Sequence, residues 1–78
     1  MKVLDDGKYC IYIYREVGHR HHLPHCHIRW PNGETVVSLP LLQVIAGMPL
    51  SKRARKLLIN SMEEILEVWD KINPERAI

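Results

Sequence analysis

The first apolar run along the chain is dense and does not alternate. Lys8 to Arg15 reads Lys-Tyr-Cys-Ile-Tyr-Ile-Tyr-Arg, aromatic or β-branched almost throughout and without a helical period, which predicts a strand. Both faces of that strand are apolar: Tyr9, Ile11 and Ile13 on one side, Cys10, Tyr12 and Tyr14 on the other. Met1 to Gly7 reads as a lead-in closed by an Asp6-Gly7 turn. Beyond Arg15 the chain is polar from Glu16 to Leu23, a loop, and Pro24 introduces a second strand, His25 to Trp30. In this strand the alternation is clear, with His25, His27 and Arg29 pointing one way and Cys26, Ile28 and Trp30 the other.

Pro31-Asn32-Gly33-Glu34 follows, and Asn-Gly is the preferred pair of a type I′ hairpin because both central residues need positive φ. With Asn32 and Gly33 as the loop, strand three is Thr35 to Leu39. Trp30 then faces Thr35, Ile28 faces Val37 and His27 faces Ser38. One face is dry, with Cys26, Ile28, Trp30, Val37 and Leu39; the other carries His25, His27, Arg29 and Ser38, with Val36 among them. Pairing Arg15 near His25 sets Cys10 opposite Trp30 and Cys26 opposite Tyr14, leaving the sulfurs on the order of 13 Å apart, too far to bond. Leu39-Pro40 marks a turn, and Leu41 to Ile45 reads either as a short fourth strand or as an irregular helical turn before Ala46-Gly47-Met48-Pro49.

Ser51 is a good N-cap for a helix from Lys52 to Ile72. Ala54, Leu57, Leu58, Met62, Ile65, Leu66, Trp69 and Ile72 recur at spacings of three and four, a stripe about 30 Å long that suits the dry face of the sheet. Asn73-Pro74 stops it. The expected fold is therefore a single α+β domain: an antiparallel sheet of three to four strands covered on one face by one long C-terminal helix.

Composition narrows the function classes more than it names one. At 78 residues the chain suits one small core, and a net charge of +2 is too small to argue for nucleic acid by itself. No apolar run approaches the roughly 20 residues that cross a bilayer, and the opening Met-Lys-Val-Leu-Asp-Asp does not resemble a secretion signal, so a cytoplasmic location is expected. In that compartment the two cysteines are expected to be thiols.

All five histidines lie between His19 and His27. His25 and His27, two apart on a strand, present both imidazoles on one face, a geometry that suits zinc or another transition metal. His22, or its neighbours His19 and His21, is the candidate third ligand, with Glu34 more distant. The plainer expectation is that the two rings hydrogen-bond loop carbonyls and cover the sheet. Histidine catalysis without metal, or a nuclease-like site using Arg29 for phosphate, lacks a nucleophile-base-orienter set in the sequence.

Lys52, Arg53, Arg55 and Lys56 crowd the start of the predicted helix, and Glu63, Glu64, Glu67 and Asp70 its second half, so both groups oppose a single helix dipole. Lys52, Arg53 and Lys56 are candidates for an anion or nucleic acid. An acidic protein partner, an antiparallel pair of helices or a simple solvated face would also accommodate the pattern.

In four places the chain resembles a bacterial family known only as domain of unknown function number 4160: the aromatic strand Tyr9 to Tyr14, Leu23-Pro24-His25-Cys26-His27-Ile28 against a Pro-Pro-His-X-His-Val signature, Val44-Ile45-Ala46-Gly47-Met48-Pro49, and Glu64-Ile65-Leu66-Glu67-Val68-Trp69. Leu23 replaces the first proline, the preceding loop carries three extra histidines, and two additional residues separate Pro49 from Lys52. The resemblance implies no reaction. It does imply a protein partner, since members are often encoded beside small proteins in toxin-antitoxin-like arrangements. With strand one apolar on both faces, a homodimer or heteromeric complex is expected, through Val36, Ile11 or Tyr12 and the basic end of the helix. The leading expectation is thus an interaction module of a toxin-antitoxin-like pair; the alternative is a metal- or histidine-dependent hydrolase centred on His25 and His27.

Overall fold

Five antiparallel strands lie side by side in sequence order in the computed structural model, which describes residues 1–15 and 23–73. They are β1 (Lys2–Asp5), β2 (Cys10–Tyr12), β3 (His25–Trp30), β4 (Gly33–Ser38) and β5 (Val44–Gly47), followed by α1 (Lys52–Asn60) and α2 (Met62–Ile72). The architecture is α+β, with one more strand and one more helix than expected.

The additional strand is β1. Its burial is intermediate at Val3 and Leu4, which pack against the core, and it joins β2 through a turn in which Asp5 accepts from the Gly7 N–H (2.9 Å) and Asp6 from the Lys8 and Tyr9 N–H groups (3.0 and 2.8 Å). The turn at Asp6-Gly7 thus links two strands.

The β3–β4 hairpin closes one residue earlier than Asn-Gly chemistry suggests, which shifts the pairing by two residues. Trp30 pairs with Gly33, Ile28 with Thr35, His27 with Val36 and His25 with Ser38, so Pro31 and Asn32 are the loop. Neither Asn32 nor Gly33 adopts positive φ; among the described residues Leu42, Gly7 and Gly47 do. Pro31, with its fixed φ, instead leads a turn without left-handed residues. Because side chains alternate with period two, this two-residue shift leaves every face assignment of β3 and β4 intact.

The β2–β3 register differs by one, and a one-residue slip exchanges faces. Cys10 pairs with Arg29, Ile11 with Ile28 and Tyr12 with His27. Cys10 therefore lies on the histidine-bearing face and Cys26 in the core, and both are free thiols. The sulfurs are kept apart by the sheet itself.

The helices cover the other face. Tyr9, Ile11, Ile13, Cys26, Ile28, Val37 and Leu39 from the sheet side meet Ala54, Leu58, Ile65 and Trp69, all buried, with Trp30 only partly buried beside them. Ile11, expected as a contact surface, is fully enclosed. Ser51 caps α1 by accepting from the Ala54 N–H (3.1 Å) and shares a hydrogen bond with the Tyr9 hydroxyl (3.1 Å).

The single long helix is divided at Ser61 (φ −107, ψ 9), next to Asn60, where two residues that compete for backbone hydrogen bonds stand together. The break explains half of the charge layout. Glu63 and Glu64 sit in the first turn of α2 and Lys71 in its last, so these charges favour the α2 dipole instead of opposing a longer one. The basic start of α1 still runs against its own dipole.

β5 begins at Val44, later than the expected Leu41, and extends through Gly47. Gly47 has φ +92, and a Cβ there would collide with the Glu34 carbonyl oxygen and approach Thr35 Cα at 3.0 Å. No other residue fits this strand end without displacing β4.

Candidate functional site

Two surfaces stand out, one polar and one apolar. The polar one is the uncovered face of β2, β3 and β4, where strand alternation sets His25, His27 and Arg29 beside Tyr12 and Glu34. Glu34 lies opposite Arg29 and diagonal to His27, within side-chain reach of both. Its Oε2 accepts from His27 Nδ1 (3.1 Å) and from Arg29 Nε (3.2 Å). The His27 ring and then the Arg29 guanidinium hold the Glu34 carboxyl below its ordinary range, so it is ionised at neutral pH.

A row of rings runs from Trp69 in the core onto this face. Trp69 lies 5.1 Å from His25 between ring centres, His25 5.8 Å from His27, His27 4.9 Å from Tyr14, and Tyr14 stacks with Tyr12 at 6.0 Å. Arg29 closes the row 5.0 Å over the Tyr12 ring. His25 Nδ1 bonds the Leu23 carbonyl (2.9 Å), as the plainer expectation for these histidines had it; His27 bonds a carboxylate instead. Trp69 is fully buried, and its indole N–H has no hydrogen-bond partner among the described residues.

His22, His19 and His21 lie outside the described residues. Among those that are described, no three His, Cys, Asp or Glu side chains come together to hold a metal ion. Of the candidate anion-binding residues, Lys52, Arg53 and Lys56 are all exposed on α1, and Arg53 is already engaged: it lies 3.6 Å from Asp6 and 5.5 Å over the Tyr9 ring. The Tyr9 and Lys8 N–H groups, with Arg53 behind them, hold the Asp6 carboxyl below its usual value. On the buried face, enclosure pushes the Cys26 thiol up to about 12, which leaves it unsuited to nucleophilic work.

The apolar surface is the edge strand β5. All four of its residues are exposed, Val44 at 44% and Ile45 at 57%, and Leu41 (73%) and Met48 (45%) extend the strip on either side. No charged residue stands between Glu34 and Lys52. The opposite edge, β1, is guarded by charge at both ends, where Lys2 and Asp5 form an ion pair at 3.3 Å. The signal for β5 was present in the sequence as an uncharged aliphatic segment, but a fourth strand can lie inside a sheet or at its edge, and only the strand order decides.

The family described as Domain of unknown function (DUF4160) matches the chain over residues 9–70. No curated protein and no solved structure was found to match it. No helix among the described residues is long and apolar enough to cross a membrane.

Proposed function

This chain belongs to the DUF4160 family, and from that premise we propose that it is a small cytosolic protein-interaction module, one member of a toxin-antitoxin-like pair, which binds its partner by adding a strand to β5. The carrying observation is the β5 edge, exposed at every residue and free of charge. An edge strand presents unpaired N–H and C=O groups, and proteins that keep such an edge solitary usually blunt it with charged side chains. The β1 edge of this sheet carries that protection and the β5 edge does not. A partner strand would satisfy the backbone groups and withdraw Val44 and Ile45 from water; each is about half exposed, so its full burial is worth about 0.7–1.5 kcal/mol.

The toxin-antitoxin-like part of the reading is supported by the resemblance alone, through the small proteins encoded beside such chains. Val36, half-buried on the uncovered face and paired with Ala46 of β5, adjoins the edge and extends the contact, whereas Tyr12 lies three strands away in β2. The test is co-expression with the product of the adjacent gene. The parent chain should co-purify with it as a stoichiometric complex, and Ile45→Lys, a surface change, should abolish the complex while leaving the fold intact. A monomer that binds neither that product nor a second copy of itself would sink the proposal.

A further inference from the structure

We propose that the outward face of α1 and α2 docks against the same face of a second copy of this chain, turned end for end. This surface is separate from the β5 edge, and the case for it rests on the pattern of exposed residues along the two helices.

The helical period runs through the break between them. Ser61 donates its N–H to the Leu57 and Leu58 carbonyls (3.1 and 3.3 Å), and its own carbonyl accepts from the Ile65 N–H (2.9 Å). Ala54, Leu58, Ile65 and Trp69 mark the buried side. On the opposite side Lys52, Lys56, Ile59, Glu63 and Glu67 recur at spacings of three and four, and all are exposed. In order, this stripe is a pair of cations, an aliphatic side chain 57% exposed, and a pair of anions.

Lys52, Lys56, Glu63 and Glu67 form no ion pair with another described residue. Each instead stands one turn from its like, Lys52 from Lys56 and Glu63 from Glu67, a spacing at which like charges repel. A nucleic acid laid along the stripe would be attracted by the two lysines and repelled by the two glutamates on the same line. An acidic protein surface would meet the same conflict. The complement of the whole stripe is the stripe itself reversed.

A two-fold axis between Ile59 and Asn60 supplies that complement. It sets Lys56 opposite Glu63 of the second copy and Lys52 opposite Glu67 of the second copy, and symmetry repeats both pairs. The two Ile59 side chains meet beside the axis and leave water together. Glu67 of the second copy also reaches the first turn of α1, which has no acidic residue of its own to meet its dipole. Exposed ion pairs add little affinity, so burial of Ile59 holds the contact while the charges choose its direction; parallel helices would set like against like. One pair of helix faces falls below the roughly 1,200 Å2 of a stable interface, and the dimer is therefore weak and salt-sensitive.

Sedimentation equilibrium of the full chain tests the contact. At about 0.3 mM protein the chain should be largely dimeric in about 20 mM salt and shift towards monomer in about 500 mM salt. Lys56→Glu sets like charges opposite each other twice per dimer and should weaken association at least about 10-fold, with the far-ultraviolet circular dichroism unchanged. Lys56→Glu combined with Glu63→Lys restores opposite charges across the axis and should recover the parent dimer. Ile45→Lys should leave the dimer intact, so this contact and the β5 edge can fail separately. A chain that stays monomeric in low salt would overturn the proposal, as would a dimer indifferent to Lys56→Glu, a double variant that fails to recover, or a dimer lost in Ile45→Lys. The parent salt series needs no variant to fold: association that does not weaken between the two salt concentrations would overturn it as well.

Discussion

Trp69 allows two opposing effects at one side chain to be separated. It is fully buried, so truncation to alanine removes the largest enclosed ring and leaves a cavity, a loss of about 3–5 kcal/mol. Its indole N–H is enclosed without a partner among the described residues, and a buried donor left unsatisfied costs about 1–3 kcal/mol. Trp69→Phe removes that donor and keeps most of the ring. The apolar carbon lost is worth about 1–2 kcal/mol at about 0.8 kcal/mol per group, and the smaller cavity adds about 1 kcal/mol. The two sides nearly offset, so Trp69→Phe should lie within about 1.5 kcal/mol of the parent while Trp69→Ala falls well below both. A chain of this size has about 4–12 kcal/mol of stability in total, so the alanine variant should be close to the limit of folding. Urea unfolding followed by circular dichroism at unchanged slope measures both variants. If Trp69→Phe were as costly as Trp69→Ala, the indole N–H would be stabilising and the reasoning would be wrong.

Three further outcomes follow from the same packing. In native protein at pH 8, iodoacetamide should label Cys10 and leave Cys26 unmodified, because a thiol raised to about 12 is ionised only to roughly one part in ten thousand there; mass spectrometry showing both labelled at one rate would contradict the burial of Cys26. Ser51→Ala should cost about 0.5–2 kcal/mol in chemical denaturation, since it removes the cap of α1 and the bond to Tyr9 together. Asp6 is held below the ordinary aspartate value of 3.8, so its contribution is complete above that value and disappears as pH falls through the lower folded one; Asp6→Asn should flatten this part of the acid-unfolding curve, and an unchanged curve would refute the role.

Alternation decided what was legible in the sequence. His25 to Trp30 alternates cleanly, and its faces survived even though the hairpin loop proved to be Pro31-Asn32, because a shift of two preserves orientation. Lys8 to Arg15 is apolar on both sides and has no pattern to fix its register, so β2 was displaced by one residue and Cys10 assigned to the wrong face. Lys2 to Asp5 has too few alternating positions to announce a strand. The stripe from Ala54 to Ile72 runs through Ser61 without interruption, which hid the break between α1 and α2; the acidic residues after it were the overlooked sign, since they suit a new helix start. At the candidate site, the shared face of His25 and His27 follows from their spacing. The bond from His27 to Glu34 needed the true hairpin register, and the contact of Trp69 with His25 belongs to tertiary packing that no local pattern encodes.

Amide hydrogen exchange of the chain alone and in complex with the co-purified partner reads the use of the β5 edge directly. Strand addition should slow exchange at Val44–Gly47, at amides directed away from β4, and leave Lys2–Asp5 at the opposite edge unchanged. Protection appearing at β1 or on the helices, with β5 exchanging as it does in the free chain, would contradict the account.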